Sequence, residues 1–277
     1  MSRMMITASN TMDQLQKQLD IISSNIANSQ TTGYKSKNVS FSELMYQQFN
    51  NQSGIENEVG RLTPGGIRQG SGARIGQVQT NLSQGAVTDT GRQLDFALTK
   101  ADQFFKVLVP NGNTIQVQYT RDGAFYLSPM NNNEMALVTS DGYQVLDEQN
   151  NPIIINGNVS ELTVNQSGQL SVVNTDGQTE QFTLGVVQVH NPNALMNTGN
   201  NLLAIPDAFA GQEADILTNL EGAGRQQVGI KQGALEQSNV DISVEMTNLM
   251  QTQRAYQFQS RAVTLSDQMQ GLINGIR

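Results

Sequence analysis

The sequence predicts an α+β protein, with long N- and C-terminal helices forming a coiled-coil-like assembly domain and a central, mainly antiparallel β domain. Three observations predict it: an apolar heptad near the N-terminus, a second apolar helical pattern at the C-terminus, and a middle punctuated by glycine turn pairs.

At the N-terminus, Met5, Ala8, Met12, Leu15, Leu19, Ile22 and Ile26 are separated by alternating gaps of three and four. That spacing makes a coiled-coil seam, narrower than the apolar face of an ordinary surface helix. No Gly or Pro interrupts the chain before Gly33, whose freedom to take positive φ makes it the expected stop.

At the other end, Asn239 to Gln270 is again free of Gly and Pro, with Asp241 or Ser243 placed to cap a helix. Ile242, Met246, Leu249 and Tyr256 form one stripe, and Phe258, Ala262, Leu265, Met269, Leu272 and Ile276 form another. The stripe shifts between Tyr256 and Phe258, so the expected helix changes contact partners along its length. Two helices by themselves leave much of both stripes in water, and an apolar patch of that size marks an assembly surface. The alternative is that both helices fold back onto the β domain.

Between these ends, Phe104–Val109, Ile115–Thr120 and Phe182–Val189 read as strands. The pairs Asn111-Gly112, Asp122-Gly123, Asp141-Gly142, Asn156-Gly157, Ser167-Gly168 and Asp176-Gly177 read as the turns between short antiparallel strands. From about Asn50 to Gly76 the chain is rich in Gly, Gln and Ser and contains Pro64, the composition of an extended connector. The expected organisation is residues 1–32 and 240–277 as the helical assembly domain, 33–76 and 225–239 as connector, and 77–224 as the β domain.

Charge and composition exclude several functions. The 277 residues include 16 Lys and Arg against 24 Asp and Glu, a net charge of −8, with no basic block to neutralise phosphates, so nucleic acid is not an expected partner. The helical ends are neutral: Arg3 and Lys17 balance Asp13 and Asp20, and Arg254, Arg261 and Arg277 balance Asp241, Glu245 and Asp267. The acidity therefore lies on the middle, and uncharged seams pack against copies of themselves without repulsion. Cysteine is absent, which removes disulfides, a thiol nucleophile and Cys-based zinc sites. The start, Met1 to Ala8, lacks an apolar run of signal-peptide length, and no stretch is apolar enough to insert in a membrane. On composition alone the chain reads as cytoplasmic.

Three groups of residues alter that reading. Ser24-Asn-Ile-Ala-Asn-Ser-Gln-Thr-Thr-Gly-Tyr-Lys35 follows the first helix. Asp89-Thr-Gly-Arg-Gln-Leu-Asp-Phe-Ala-Leu98, Phe104-Phe105 and Tyr119-Thr-Arg-Asp-Gly-Ala-Phe125 occupy the middle. Leu235-Glu-Gln-Ser-Asn-Val-Asp-Ile-Ser-Val-Glu-Met246 and Gln253-Arg-Ala-Tyr256 lie at the C-terminus. Together they resemble the flagellar rod and hook protein family, over both ends and much of the middle. Asp102-Gln103 departs from the glycine that the family usually places before the two phenylalanines. In the first motif, Asn25 and Asn28 can bond loose backbone groups at a helix end, Gly33 permits positive φ, and Tyr34 can anchor the departing chain.

The resemblance implies terminal helices paired in an inner tube, an extended connector outside it and an outer β domain. It implies a helical homo-oligomer that contacts neighbouring rod and hook proteins. It also implies export through the flagellar type III apparatus without a cleaved signal, to the extracytoplasmic part of the basal body. Carried over by position, the assembly residues are both helical stripes with Asn25, Asn28, Gly33 and Tyr34, and the block Gln253, Arg254 and Tyr256. Within the family, Phe41–Tyr46, the stretch to Gly76 and the chain length resemble the distal rod type. The distal rod type is therefore the first expectation, although a rod-type paralogue of Gram-positive bacteria fits equally well, and a hook or hook-junction subunit is the next alternative.

No catalytic, cofactor or metal residue is expected. His190, the one histidine, stands at a strand end in Gln188-Val-His-Asn-Pro192 without evident metal partners or a nucleophile elbow. Gly70-Ser-Gly72 lies in a polar connector, not between a buried strand and a helix, so it is no phosphate loop. Asp122, Asp141 and Asp176 each precede Gly as turn residues, outside any calcium-loop pattern. A rival from another class is a secreted glycan-binding module or hydrolase, with Tyr119, Phe125 and Tyr143 as sugar-facing aromatics.

Overall fold

The computed structural model describes residues 3–43, 47–49, 67–69, 73–111, 114–130, 134–175, 177–209 and 211–275. Most of the expected connector from Asn50 to Gly76, including Gly70-Ser-Gly72, lies outside the described residues, as do Ile276 and the Asn111-Gly112 turn at its Gly112. The chain divides into two compact units. One comprises Met1–Ser24, Lys37–Gln79 and Ser243–Arg277, the other Asn25–Ser36 and Thr80–Ile242.

The first unit holds the two long helices and a ribbon. The N-terminal helix runs Arg3–Ala27 and the C-terminal helix Ile242–Gly275. The first ends before Gly33, because Asn28 to Thr31 turns the chain: the Asn28 carboxamide oxygen accepts from the Thr31 hydroxyl, and the Thr31 carbonyl accepts from the Tyr34 amide. The second begins immediately after Asp241, one of the two expected caps, and Ser243, the other, lies within its first turn. In the ribbon, Lys37–Glu43 pairs with Ala73–Thr80, and Gln47–Phe49 with Ile67–Gln69 in antiparallel register. Gln14 of the N-terminal helix accepts a 2.9 Å bond from the Ile75 amide, fixing helix and ribbon together.

The second unit is antiparallel β structure. The path through its ten-stranded sheet is Ile154–Asn156, Glu134–Thr139, Gln144–Val145, Gln103–Asn111, Thr114–Thr120, Leu202–Ala204 and Met196–Gly199. Phe125–Pro129, Val186–Val189 and Leu217–Asn219 pair alongside that path. A separate three-stranded sheet is built from Val159–Val164, Gln169–Asn174 and Thr179–Thr183. The run Phe182–Val189, expected as one strand, is broken at Leu184-Gly185. There the chain passes between sheets: Gly185 donates to the Leu146 carbonyl and accepts from the Lys106 amide.

The core of this unit is apolar and aromatic. Phe105 meets Phe125 edge-on at 5.2 Å between ring centres, and Phe96 packs on Phe125 at 5.8 Å. Leu137, Val145, Ile155, Leu170 and Leu184 fill the space around them. A smaller cluster of Phe104, Tyr119, Val187, Val189 and Leu217 lies elsewhere in the unit. Two short ladders carry the chain toward the C-terminal helix: Ile230–Gln232 pairs with Phe96–Leu98, and Ala234–Glu236 with Val87–Asp89. The segment 225–239, expected as connector, thus contains strands hydrogen-bonded into the β region.

Candidate functional site

Three motif segments, far apart in sequence, converge in the β-containing unit. In Ala234–Glu236 the strand alternation turns Ala234 and Glu236 inward and leaves Leu235 half-buried. The Glu236 carboxylate lies between two cations. Its Oε1 accepts from Lys35 Nζ at 2.7 Å and from the Gly85 amide at 2.9 Å, and its Oε2 accepts from Arg121 Nε at 2.6 Å. All three side chains are buried.

Each cation is completed by backbone carbonyls. Lys35 donates to Leu82 and Ser83, and Arg121 donates to Gln103 and Leu98. The Arg121 guanidinium also lies 5.9 Å from the Phe104 ring centre. Burial lowers the Lys35 pKa, and the neighbouring Arg121 lowers it further, while Glu236 acts in the opposite direction. Burial also lowers the Arg121 pKa against the opposing pull of Glu236. Two cations sharing one carboxylate therefore depend on the carbonyls for the rest of their compensation.

The first motif wraps this cluster. Gly33 has φ +65°, and its amide donates to the Glu236 carbonyl at 2.8 Å. A Cβ at Gly33 would stand 2.6 Å from the Arg121 carbonyl carbon, so both conformation and space require glycine. The Tyr34 ring is buried and its hydroxyl donates to the Asn25 carboxamide oxygen at 3.2 Å. Thr32 donates to the Asp122 carboxylate at 2.9 Å. From the C-terminal motif, the Asn239 oxygen accepts from the Ser36 amide, while its nitrogen donates to the Asn81 and Ser83 carbonyls. Asn25, Asn28, Gly33 and Tyr34 therefore stand at one junction.

Gln103 fills the place of the family's expected glycine. It is buried, and its carboxamide donates to the Gln227 carbonyl and accepts from the Gly229 amide. The departure becomes a tie between the strand Gln103–Asn111 and the segment leading to Ile230.

The helical stripes divide by exposure. On the N-terminal helix, Ala8 and Ile22 are buried and Met5, Met12, Leu15, Leu19 and Ile26 are partly covered. The covered positions of the C-terminal helix include Glu245, Leu249, Thr252, Tyr256, Gln259, Val263 and Ser266, a heptad of mainly polar and small residues. Ile242, Met246, Gln253, Arg254, Phe258, Leu265, Met269 and Leu272 are exposed, Phe258 at 71% and Leu272 at 69%. Leu249 and Tyr256 thus belong to the covered side, while the later apolar stripe faces solvent.

The aromatics of the glycan-binding reading do not face outward. Phe125 and Tyr119 are buried in the two cores, and Tyr143 packs against the larger one. His190 Nε2 lies 2.9 Å from the Thr218 hydroxyl. Sequence reasoning assigned no role to Lys35, Arg121 or Glu236, although each stands in a motif segment. The available signal was a charge in each of three motifs of a chain with 14% charged residues.

The described chain has a long helix at each end and an antiparallel β region between them in sequence, with the motif residues joined in a buried junction. Comparison with known proteins gives the family. The flagella basal body rod protein model matches residues 5–35, the flagellar hook protein FlgE/F/G D1 domain model residues 100–172, and the flagellar basal body rod FlgEFG protein C-terminal model residues 231–276. The chain is 48% identical to the flagellar hook-basal body complex protein FlhP of Bacillus subtilis, over 100% of both chains. It is 35% identical to the flagellar basal-body rod protein FlgG of Borreliella burgdorferi, over 100% of this chain and 99% of that one. To FlgG of Bacillus subtilis it is 32% identical, over 99% of each. The chain belongs to the flagellar basal-body rod and hook protein family, and is a structural protein, not an enzyme.

Proposed function

We propose that this chain is a rod subunit that polymerises through its terminal helices into a hollow helical drive shaft, which transmits torque toward the hook and passes exported subunits. The observation that carries the reading is the exposed apolar stripe Phe258, Leu265, Met269 and Leu272 on a helix whose other face is already covered. Leaving such a stripe in water is unfavourable, and head-to-tail contacts that do not close into a ring extend into helical assemblies.

In this reading, residues 1–32 and 240–277 form the assembly domain, with the two covered heptads as a coiled-coil pair. Residues 33–76 and 225–239 are connector, the latter running through two short strands paired with the β region, and 77–224 form the outer β domain. The assembly contacts are the helical stripes with Gln253, Arg254 and Tyr256, and Asn25, Asn28, Gly33 and Tyr34 hold the base of the first helix. The partners are further copies, neighbouring rod and hook proteins and the flagellar type III export apparatus. The subunit works outside the cytoplasm after export without a cleaved signal.

The distal rod position and that of a rod-type paralogue both follow from the resemblance. The identity of 48% to the hook-basal body complex protein FlhP, against 32% to the rod protein FlgG of the same Bacillus subtilis strain, favours a subunit of the FlhP type over the FlgG type. Mass spectrometry of purified hook–basal bodies, with and without shearing of the hooks, tests the reading. Retention of the chain in multiple copies after shearing supports a rod subunit. Loss with the hook moves the subunit to the hook, and absence from both preparations refutes an axial role.

A further inference from the structure

Buried ions are an inefficient way to stabilise a fold. Each costs several kcal/mol to remove from water, and well-packed apolar side chains of equal volume often serve as well. Ions add geometry, because hydrogen-bonded charges tolerate few alternative arrangements. The Lys35–Glu236–Arg121 cluster gathers one residue from the lead out of the N-terminal helix, one from the lead into the C-terminal helix and one from the β region.

Glu236 is the shared member, and its backbone participates as well as its side chain. The carbonyl holds the Gly33 amide while the carboxylate holds Lys35, Arg121 and the Gly85 amide. The neighbouring bonds run the same way: Gln237 donates to Ala86, and Asn239 ties Ser36 to Asn81 and Ser83. We propose that Glu236 is the positioning residue of the subunit, one carboxylate that sets both helix leads in a single register on the β region. This rests on the axial-subunit reading and adds the residue through which load entering either helix reaches the β region.

The test compares the full-length chain with a Lys35→Met/Arg121→Met/Glu236→Leu variant. The expected result is a urea midpoint at or above that of the unsubstituted chain, with amide exchange at Gly33, Ser36 and Gln237 faster by about tenfold or more. Expressed in place of the native chain, the variant is expected to leave cells without rods and non-swimming. A merely stabilising cluster would lower the midpoint and is thereby told apart. Unchanged protection of those amides, or normal rods and swimming, overturns the proposal.

Should the triple variant fail to fold, Lys35→Met alone leaves a neutral Arg121–Glu236 pair. It is expected to fold with faster exchange at Gly33 and Ser36 but not in the core strand Gln103–Asn111. Unaltered exchange at both amides overturns the proposal. The exchange readout needs no flagellum, so its failure is distinguishable from absence of the native chain in hook–basal bodies.

Discussion

Arg121 Nε lies 2.6 Å from Glu236 Oε2, with the two side chains 1% and 2% exposed. The pair joins the Tyr-Thr-Arg-Asp-Gly segment to the lead into the C-terminal helix, and Lys35 completes it from the other terminus. Truncating the acid strands both cations away from water. Glu236→Ala is therefore expected to destabilise the chain by about 3–5 kcal/mol, read from urea unfolding. A loss below about 1 kcal/mol would mean that water reaches and solvates the cations.

Gly33 is fixed by both space and conformation. An added Cβ would meet the Arg121 carbonyl and the Asp122 amide nitrogen, and the Gly33 φ is positive. Gly33→Ala is expected to cost more than about 1 kcal/mol, because the opposing atoms are backbone and cannot rotate away. Thermal unfolding of the full chain measures it, and an unchanged midpoint would contradict the described turn.

Asp122 gives a pH dependence of known sign. Burial raises its pKa, partly offset by the bonds from the Ala124 amide and the Thr32 hydroxyl. The folded chain therefore holds this proton at pH values where the unfolded chain has released it, so this group's contribution to stability falls as pH rises above about 4. An asparagine carbonyl can accept both bonds without charge. The stability of Asp122→Asn relative to the unsubstituted chain is expected to rise as pH increases above about 4 and to level off once the folded-state carboxyl has ionised. A difference that falls with rising pH would reverse the assignment.

Much of the fold was legible in the sequence because local chemistry determines it. The helices were readable from heptads without Gly or Pro, and the turn at Gly33 from its motif. The face that the C-terminal helix covers was not, because Glu245, Thr252, Gln259 and Ser266 carry no apolar periodicity. The junction was hidden for a different reason: Lys35 and Glu236 are 201 positions apart, and nothing in a single sequence reports that their side chains meet. The break at Leu184-Gly185 was equally hidden, since it follows from a crossing between sheets and not from local propensity.

In the proposed assembly the apolar stripes build the polymer while the β region folds by itself. Leu265→Asp tests it most directly, because Leu265 is exposed and far in sequence from the junction. Cells carrying this variant are counted for rods by electron microscopy, and the purified chain is unfolded in urea. The expected result is loss of rods with an unfolding free energy within about 0.5 kcal/mol of the unsubstituted chain, as for an exposed substitution. Rods of normal number and length, built with a charge in the stripe, would contradict it.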